Sequence, residues 1–121
     1  MKLLALDRFF SCLLIVGGIA HAFGAWSAFH SQPATLLWSE AAAFAIFLLA
    51  AINLLRSARP ADRALAWISF AGCLVWAGFA LAVGGLRGDF LYPPAVANVV
   101  DSLILANFSL RTALGSAARP R

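Results

Sequence analysis

Four apolar segments, each about 20 residues long, follow one another along this chain and constrain its fold more than any other feature. They cover residues 9–29, 34–55, 64–86 and 94–114, with short polar or proline-containing breaks between them. A helix of about 20 apolar residues can cross the hydrocarbon core of a bilayer. The pattern therefore predicts an all-α polytopic membrane protein, a single domain built as a bundle of four transmembrane helices.

The composition indicates that lipid rather than water surrounds most of the folded chain. Apolar residues make up 63% of the 121 positions and charged residues only 12%. Soluble domains carry about 25% charged residues. With so few charges, a chain this short cannot cover a globular surface with polar groups, so we expect the bilayer to be its main partner.

The positions of the nine basic residues indicate an orientation in the membrane. Only Arg87 lies on one side of the predicted bundle, and the other eight lie on the opposite side: Lys2, Arg8, Arg56, Arg59, Arg63, Arg111, Arg119 and Arg121. Cytoplasmic loops carry an excess of Lys and Arg, which predicts both termini in the cytoplasm. Because the basic residues sit in short clusters between apolar segments, a nucleic-acid partner is not expected.

Three ionisable residues interrupt the apolar segments, namely His21, Glu40 and Asp101. At about 1.5 Å of rise per residue, each lies roughly 9 to 12 Å below the non-cytoplasmic boundary. Ionisable groups at this depth are costly and usually face the interior of a bundle. We therefore predict one inward-facing polar layer that joins an imidazole and two carboxylates from three helices.

Neighbouring residues extend this predicted layer into a candidate ligand or proton site. Gly17 and Gly24 fall on the same helix face as His21 and would let another helix approach closely. Asn98 shares a face with Asp101. Trp76, near the middle of the third segment, could form a wall of the site, although core packing is the simpler role. The candidate residues are thus His21, Glu40, Asp101, Asn98 and Trp76.

The predicted layer is open to several chemical interpretations. It could lock the helices together as a structural network, or relay protons, or bind a small molecule. One imidazole and two carboxylates also match a ligand set for iron or zinc, which makes His21, Glu40 and Asp101 candidate metal ligands, although no HxxxH or ExxH motif supports them. His21 could hold a haem or chlorin only as a single ligand, because His30, the other histidine, sits at the surface end of the same predicted helix. The cofactor therefore stays unknown at this stage, and none is required.

Polar residues in the cytoplasmic half predict packing rather than chemistry. Asn53 and Asn107 are expected to form interhelical hydrogen bonds, and Arg56 is expected to snorkel from a helix end towards water. Cys12 and Cys73 lie inside apolar segments with no CxxC motif. We expect them to be small core residues rather than a disulfide or a redox pair.

The first segment, with Gly17-Gly18-Ile19-Ala20-His21-Ala22-Phe23-Gly24, resembles that of DoxX-like proteins, a group of small four-helix bacterial membrane proteins. The resemblance covers the number of helices, the orientation and this one short motif. It implies a bacterial inner membrane location and an association with quinone-linked or thiosulfate-oxidising membrane systems, and it implies a role for His21.

The absence of recognisable catalytic motifs shapes the functional expectation. The chain has no nucleophile motif, phosphate-binding loop or dinucleotide motif, and its short loops leave no room for a soluble domain. We expect a non-catalytic accessory or structural subunit that packs with other membrane subunits or with a second copy. The alternatives are a small-molecule binder or proton-coupled carrier, and a redox protein associated with quinone, metal or haem. Enzymatic activity is the less favoured interpretation.

Overall fold

The computed structural model describes residues 2–115, which form four consecutive α-helices. Their bounds are Lys2–Phe29 for α1, Pro33–Ala58 for α2, Arg63–Leu86 for α3 and Pro93–Gly115 for α4. The predicted all-helical class is confirmed, and each apolar segment falls inside one helix. The largest difference is at the start, where α1 begins seven residues before Phe9, at Lys2.

Local sequence explains where the helices begin and end. Pro33 occupies the first turn of α2, where a missing backbone N–H costs nothing. Asp62 caps α3, because its carboxylate accepts a hydrogen bond from the backbone N–H of Leu65 at 3.0 Å. After α3, Gly88 adopts a φ of 68°, a left-handed conformation that glycine tolerates without strain. The chain can therefore reverse within the six residues 87–92.

The four helices pack as two antiparallel hairpins. α1 has its most extensive contacts with α2, and α3 has its most extensive contacts with α4. All four helices contribute to one apolar core, whose buried members are Leu14, Ile46, Leu49, Ala50, Cys73, Leu105 and Ala106. Glycines permit the closest approaches: a Cβ atom added at Gly18 would lie 2.7 Å from the ring of Phe47.

Large apolar side chains cover the exterior of the described bundle. Phe23, Trp38 and Phe79 are 74%, 77% and 61% exposed, and an apolar surface of this extent is typical of contact with lipid or with another protein. By length and composition, α1, α2 and α3 are apolar enough to cross a membrane. These three helices fit a small integral membrane protein.

The fourth helix differs from the other three in its composition. Within the described residues, α4 is not among the helices that are apolar enough to be identified as membrane spans by length and hydropathy. It carries Asp101, Ser102, Ser109 and Arg111 along its 23 residues. Composition alone thus supports three of the four expected spans. Whether α4 is suited to a membrane depends on whether its polar groups face the bundle or the lipid.

Candidate functional site

A buried ion pair lies where α1 begins and α2 ends. Nη2 of Arg56 donates a hydrogen bond to Oδ1 of Asp7 at 2.5 Å. Arg56 is 1% exposed and Asp7 is 6% exposed, so water does not screen the pair. A buried charge is stable only when it is paired and hydrogen-bonded, which makes each of the two residues dependent on the other.

Hydrogen bonds continue from this ion pair across the bundle. Arg56 also donates to Oδ1 of Asn53 at 3.3 Å, and the same oxygen accepts from the hydroxyl of Ser69 at 2.9 Å. The hydroxyls of Ser69 and Ser109 are 2.9 Å apart. The resulting chain of contacts runs from α1 through α2 and α3 to α4.

Two further contacts close this network. Nη1 of Arg56 donates to Oγ1 of Thr112 at 3.3 Å, and Nδ2 of Asn53 donates to Sγ of Cys73 at 3.4 Å. We call the set Asp7, Asn53, Arg56, Ser69, Cys73, Ser109 and Thr112 the polar clamp. Because a buried polar group without a partner costs about 1–3 kcal/mol, the clamp favours one arrangement of the four helices.

The polar clamp corrects three expectations drawn from the sequence. Arg56 does not snorkel to water, because Asp7 reaches it from α1. Asn53 forms the expected interhelical bonds, whereas Asn107 is exposed and the prediction for it is wrong. Of the two cysteines, Cys73 is buried and Cys12 is exposed, so the expected core position is confirmed for Cys73 alone.

The predicted layer of His21, Glu40 and Asp101 is not assembled. Asp101 is buried, Glu40 is half-buried and His21 is exposed. The prediction that His21 faces the interior is wrong because the buried face of α1 is formed by other residues: Asp7, Ser11, Leu14, Gly18 and Ala25. Residues 2–115 contain no group of three His, Cys, Asp or Glu side chains that could hold a metal ion.

Asp101 lies outside the polar clamp and carries a buried carboxylate oxygen without a hydrogen-bond partner in residues 2–115. Its Oδ1 atom is buried and has no hydrogen-bond partner within the described part of the chain. The hydroxyl of the adjacent Ser102 is in the same situation. Within a membrane span, a carboxylate in this state would be a functional candidate by default, so a role for Asp101 stays a prediction.

The other two candidate residues contact each other. Nε1 of Trp76 donates to Oδ1 of Asn98 at 3.1 Å and so joins α3 to α4. Asn98 in turn donates to the carbonyl of Pro94 at 2.8 Å. Trp76 packs against the apolar core, in agreement with the simpler role considered for it. This pair orders the interface between the two helices.

Sequence reasoning missed most of the polar clamp. Ser102, Ser109 and Thr112 recur at spacings of seven and three residues along α4, which is a helical period. That polar stripe was the available signal on α4. Nothing in the local sequence indicated that Asp7 would pair with Arg56, since 49 positions separate them.

Two cavities of the described structure are of interest, and neither is lined by His21, Glu40 or Asp101. One of about 80 Å³ lies between α3 and α4, with Phe90 and Val96 in its wall. The other is a cleft of about 270 Å³ beside the ion pair. A drug-sized ligand usually requires about 300–1,000 Å³. The geometry therefore favours structural use of the polar clamp over enclosure of a large ligand.

Comparisons with protein-family models, with curated proteins and with solved structures gave no match to this chain. The resemblance to DoxX-like proteins stays a prediction. The functional conclusions below therefore rest on the side chains and their contacts.

Proposed function

We propose that this chain is a four-helix integral membrane protein with both termini in the cytoplasm. We propose further that it serves as a non-catalytic accessory subunit that packs against another membrane protein or a second copy. A bacterial inner membrane is the location expected from the sequence, and it is part of the proposal.

The fourth helix is compatible with a membrane-spanning position because the polar groups in its middle are covered by protein and its exposed Arg111 lies near its end. Asp101, Ser102 and Ser109 are all buried within the bundle, so lipid would not meet them. The helix has 23 residues, which corresponds to about 35 Å. That length exceeds the hydrocarbon thickness of about 30 Å.

Charged and aromatic residues support the proposed placement of the membrane. Between Arg8 and Trp26, 18 residues of rise on α1 correspond to about 27 Å. This is close to the thickness of the hydrocarbon core, about 30 Å. Trp26, Trp38 and Trp67 are exposed, as expected of side chains in the aromatic belts at the two interfaces.

The observation that carries the accessory role is an uncovered stripe on α1 formed by one histidine between two glycines. His21 is exposed, and a Cβ atom added at Gly17 or at Gly24 would meet nothing within 4 Å. We call Gly17, His21 and Gly24 the α1 stripe. An imidazole is costly against lipid, whereas small residues beside it allow a helix from another protein to approach closely. Protein contact is therefore the better environment for this face.

The size of the protein in mild detergent tests this role. We expect an assembly larger than one chain when protein mass is measured by light scattering after size exclusion. Gly17→Leu and Gly24→Leu should each shift the protein towards the single chain. Gly78→Leu is a matched control, because Gly78 on α3 is also open within 4 Å. A stable lone monomer of the unmodified chain would contradict the accessory role.

Cysteine labelling tests the proposed orientation independently. In a background lacking Cys12 and Cys73, a cysteine at Asp89 should react with a membrane-impermeant maleimide added to intact cells. A cysteine at Arg59 should react only after the cells are opened. The reverse pattern would indicate the inverted topology. Labelling of both positions in intact cells would contradict a membrane-spanning bundle.

Asp101 supports a second candidate function, that of a proton-coupled carrier. The support is its buried and unpartnered Oδ1 atom, since proton pathways in membranes use such carboxylates. In liposomes that contain a pH-sensitive dye, the unmodified protein should then dissipate a pH gradient, and Asp101→Asn should not. Equal and negligible flux in both proteins would remove this candidate.

A further inference from the structure

The cleft beside the ion pair lies at the end of the bundle where α1 begins and where α2 and α4 end. Its volume is about 270 Å³, and its lining includes Leu4, Asp7, Arg56, Phe108 and Arg111. That volume is several times the roughly 30 Å³ that a water molecule occupies in the liquid. The cleft can therefore admit a polar group larger than water.

The charges around this cleft leave one uncompensated cation. Arg56 and Asp7 neutralise each other through their ion pair. Arg111 also lines the cleft and is exposed, and its guanidinium makes no hydrogen bond or ion pair within residues 2–115. A guanidinium presents several donors in a planar fork that matches the oxygens of a phosphate. The cleft thus offers an anion one guanidinium group that has no partner in residues 2–115.

The edges of the same cleft are apolar. Leu3 and Leu4 are 59% and 43% exposed, and Phe108 is half-buried. These three side chains line the cleft together with the charged groups. A soluble anion would gain little from them, whereas a lipid could place its headgroup at Arg111 and the first part of its acyl chains against Phe108, which lies one turn deeper in α4. The mixed lining therefore favours an amphipathic anion.

We propose that this cleft binds the phosphate headgroup of an anionic phospholipid of the cytoplasmic leaflet, with Arg111 as its main cationic contact. The proposal rests on the proposed membrane placement, in which this end of the bundle faces the cytoplasm. Basic pockets between membrane helices on that side are known to hold acidic lipid headgroups. Bound lipid would then cover the cleft between α1 and α4.

Lipid retention tests the proposed site. The full chain is incorporated into nanodiscs of phosphatidylcholine and phosphatidylglycerol, extracted at high salt, and analysed for bound lipid by native mass spectrometry. High salt screens the attraction of exposed charges. Phosphatidylglycerol should be retained in preference to phosphatidylcholine, and Arg111→Gln should lower that preference about tenfold, as expected for one charge-assisted hydrogen bond.

A matched variant separates this site from general surface attraction. Arg59→Gln removes the same charge at the same end of the bundle, but Arg59 does not line the cleft. It should therefore keep the preference within about twofold. Equal losses in the two variants, or no preference in the unmodified chain, would overturn the proposal. Displacement of the lipid by inorganic phosphate would identify free phosphate as the ligand and would also overturn it.

Carbonate extraction of native membranes distinguishes failure of the lipid site from failure of the proposed function. A chain that resists extraction yet shows no lipid preference contradicts only the lipid site. A chain that is washed from the membrane contradicts the membrane placement itself. Because the Arg111 side chain is exposed and makes no hydrogen bond or ion pair in the described structure, the Arg111→Gln variant should unfold at the same temperature as the unmodified chain.

Discussion

The carboxylate of Asp7 and the guanidinium of Arg56 are 2.5 Å apart and join the first turns of α1 to the last turn of α2. Arg56 extends the contact to Asn53 and Thr112. This single side chain therefore touches partners on three helices. The ion pair holds the α1–α2 hairpin at its open end, opposite the connection through residues 30–32.

Removal of one member of this ion pair should be strongly destabilising. In Asp7→Ala, Arg56 is left as a buried charge without a counter-ion, and such a change costs about 3–5 kcal/mol. Unfolding by titration with sodium dodecyl sulfate measures the loss. The double variant Asp7→Leu/Arg56→Met, which removes both charges, should recover most of it. An Asp7→Ala protein as stable as the unmodified chain would show that the pair contributes nothing.

The contact between Ser69 and Ser109 should couple α3 to α4 by a modest amount. Their hydroxyls are 2.9 Å apart and both residues are fully buried. Interhelical hydrogen bonds in membrane proteins average about 0.6 kcal/mol in double-mutant cycles. The cycle of Ser69→Ala, Ser109→Ala and the double variant should give a coupling energy of that size. Additive losses would indicate that the two hydroxyls do not interact.

Two adjacent glycines on α1 should respond in opposite ways to a methyl group. Gly18→Ala places Cβ 2.7 Å from a ring carbon of Phe47, and overpacking of this kind costs about 1–3 kcal/mol. Gly17→Ala meets nothing within 4 Å, so the better helix propensity of alanine should raise stability by up to about 1 kcal/mol. Both values are measured on the dispersed single chain. A loss at Gly17 as large as that at Gly18 would contradict the packing of α1 on α2.

Neutralising Asp101 should stabilise the bundle. Asp101→Asn keeps the side-chain shape and removes a charge whose Oδ1 atom is buried without a partner in residues 2–115. An unpaired carboxylate costs more to bury than a neutral amide of the same shape, so the free energy of unfolding should rise by on the order of 1 kcal/mol. Glu40→Gln, the same chemical change at a half-buried position, should have a smaller effect. A destabilised Asp101→Asn protein would indicate that the carboxylate has an essential partner.

The spacing of apolar residues was sufficient to predict the four helices and their approximate ends. Pro33, the cap at Asp62 and the glycine at position 88 act on the backbone next to them, so their effect can be predicted from the sequence. The sequence was also sufficient to predict that the first three helices are long and apolar enough to cross a membrane, because that property depends on length and composition. In α4 the same criteria are insufficient, since burial of polar groups by neighbouring helices matters as much as their number.

The candidate site was predicted less well because burial depends on rotation about each helix axis. Counting residues correctly placed His21, Glu40 and Asp101 inside three different helices. Counting did not determine that His21 would be exposed while Asp101 would be buried. Successive residues of a helix point about 100° apart. A small rotation of the helix about its axis therefore exchanges a buried position for an exposed one.

The sequence by itself therefore determined the number of helices, the apolar or polar character of each one, and their order along the chain. The tertiary structure alone decided which polar groups meet. Asp7 and Arg56 lie at opposite ends of the α1–α2 hairpin sequence, and only antiparallel packing brings them together. The physical reason is that hydropathy is a property of each segment, whereas a buried hydrogen bond is a property of two helices in one register.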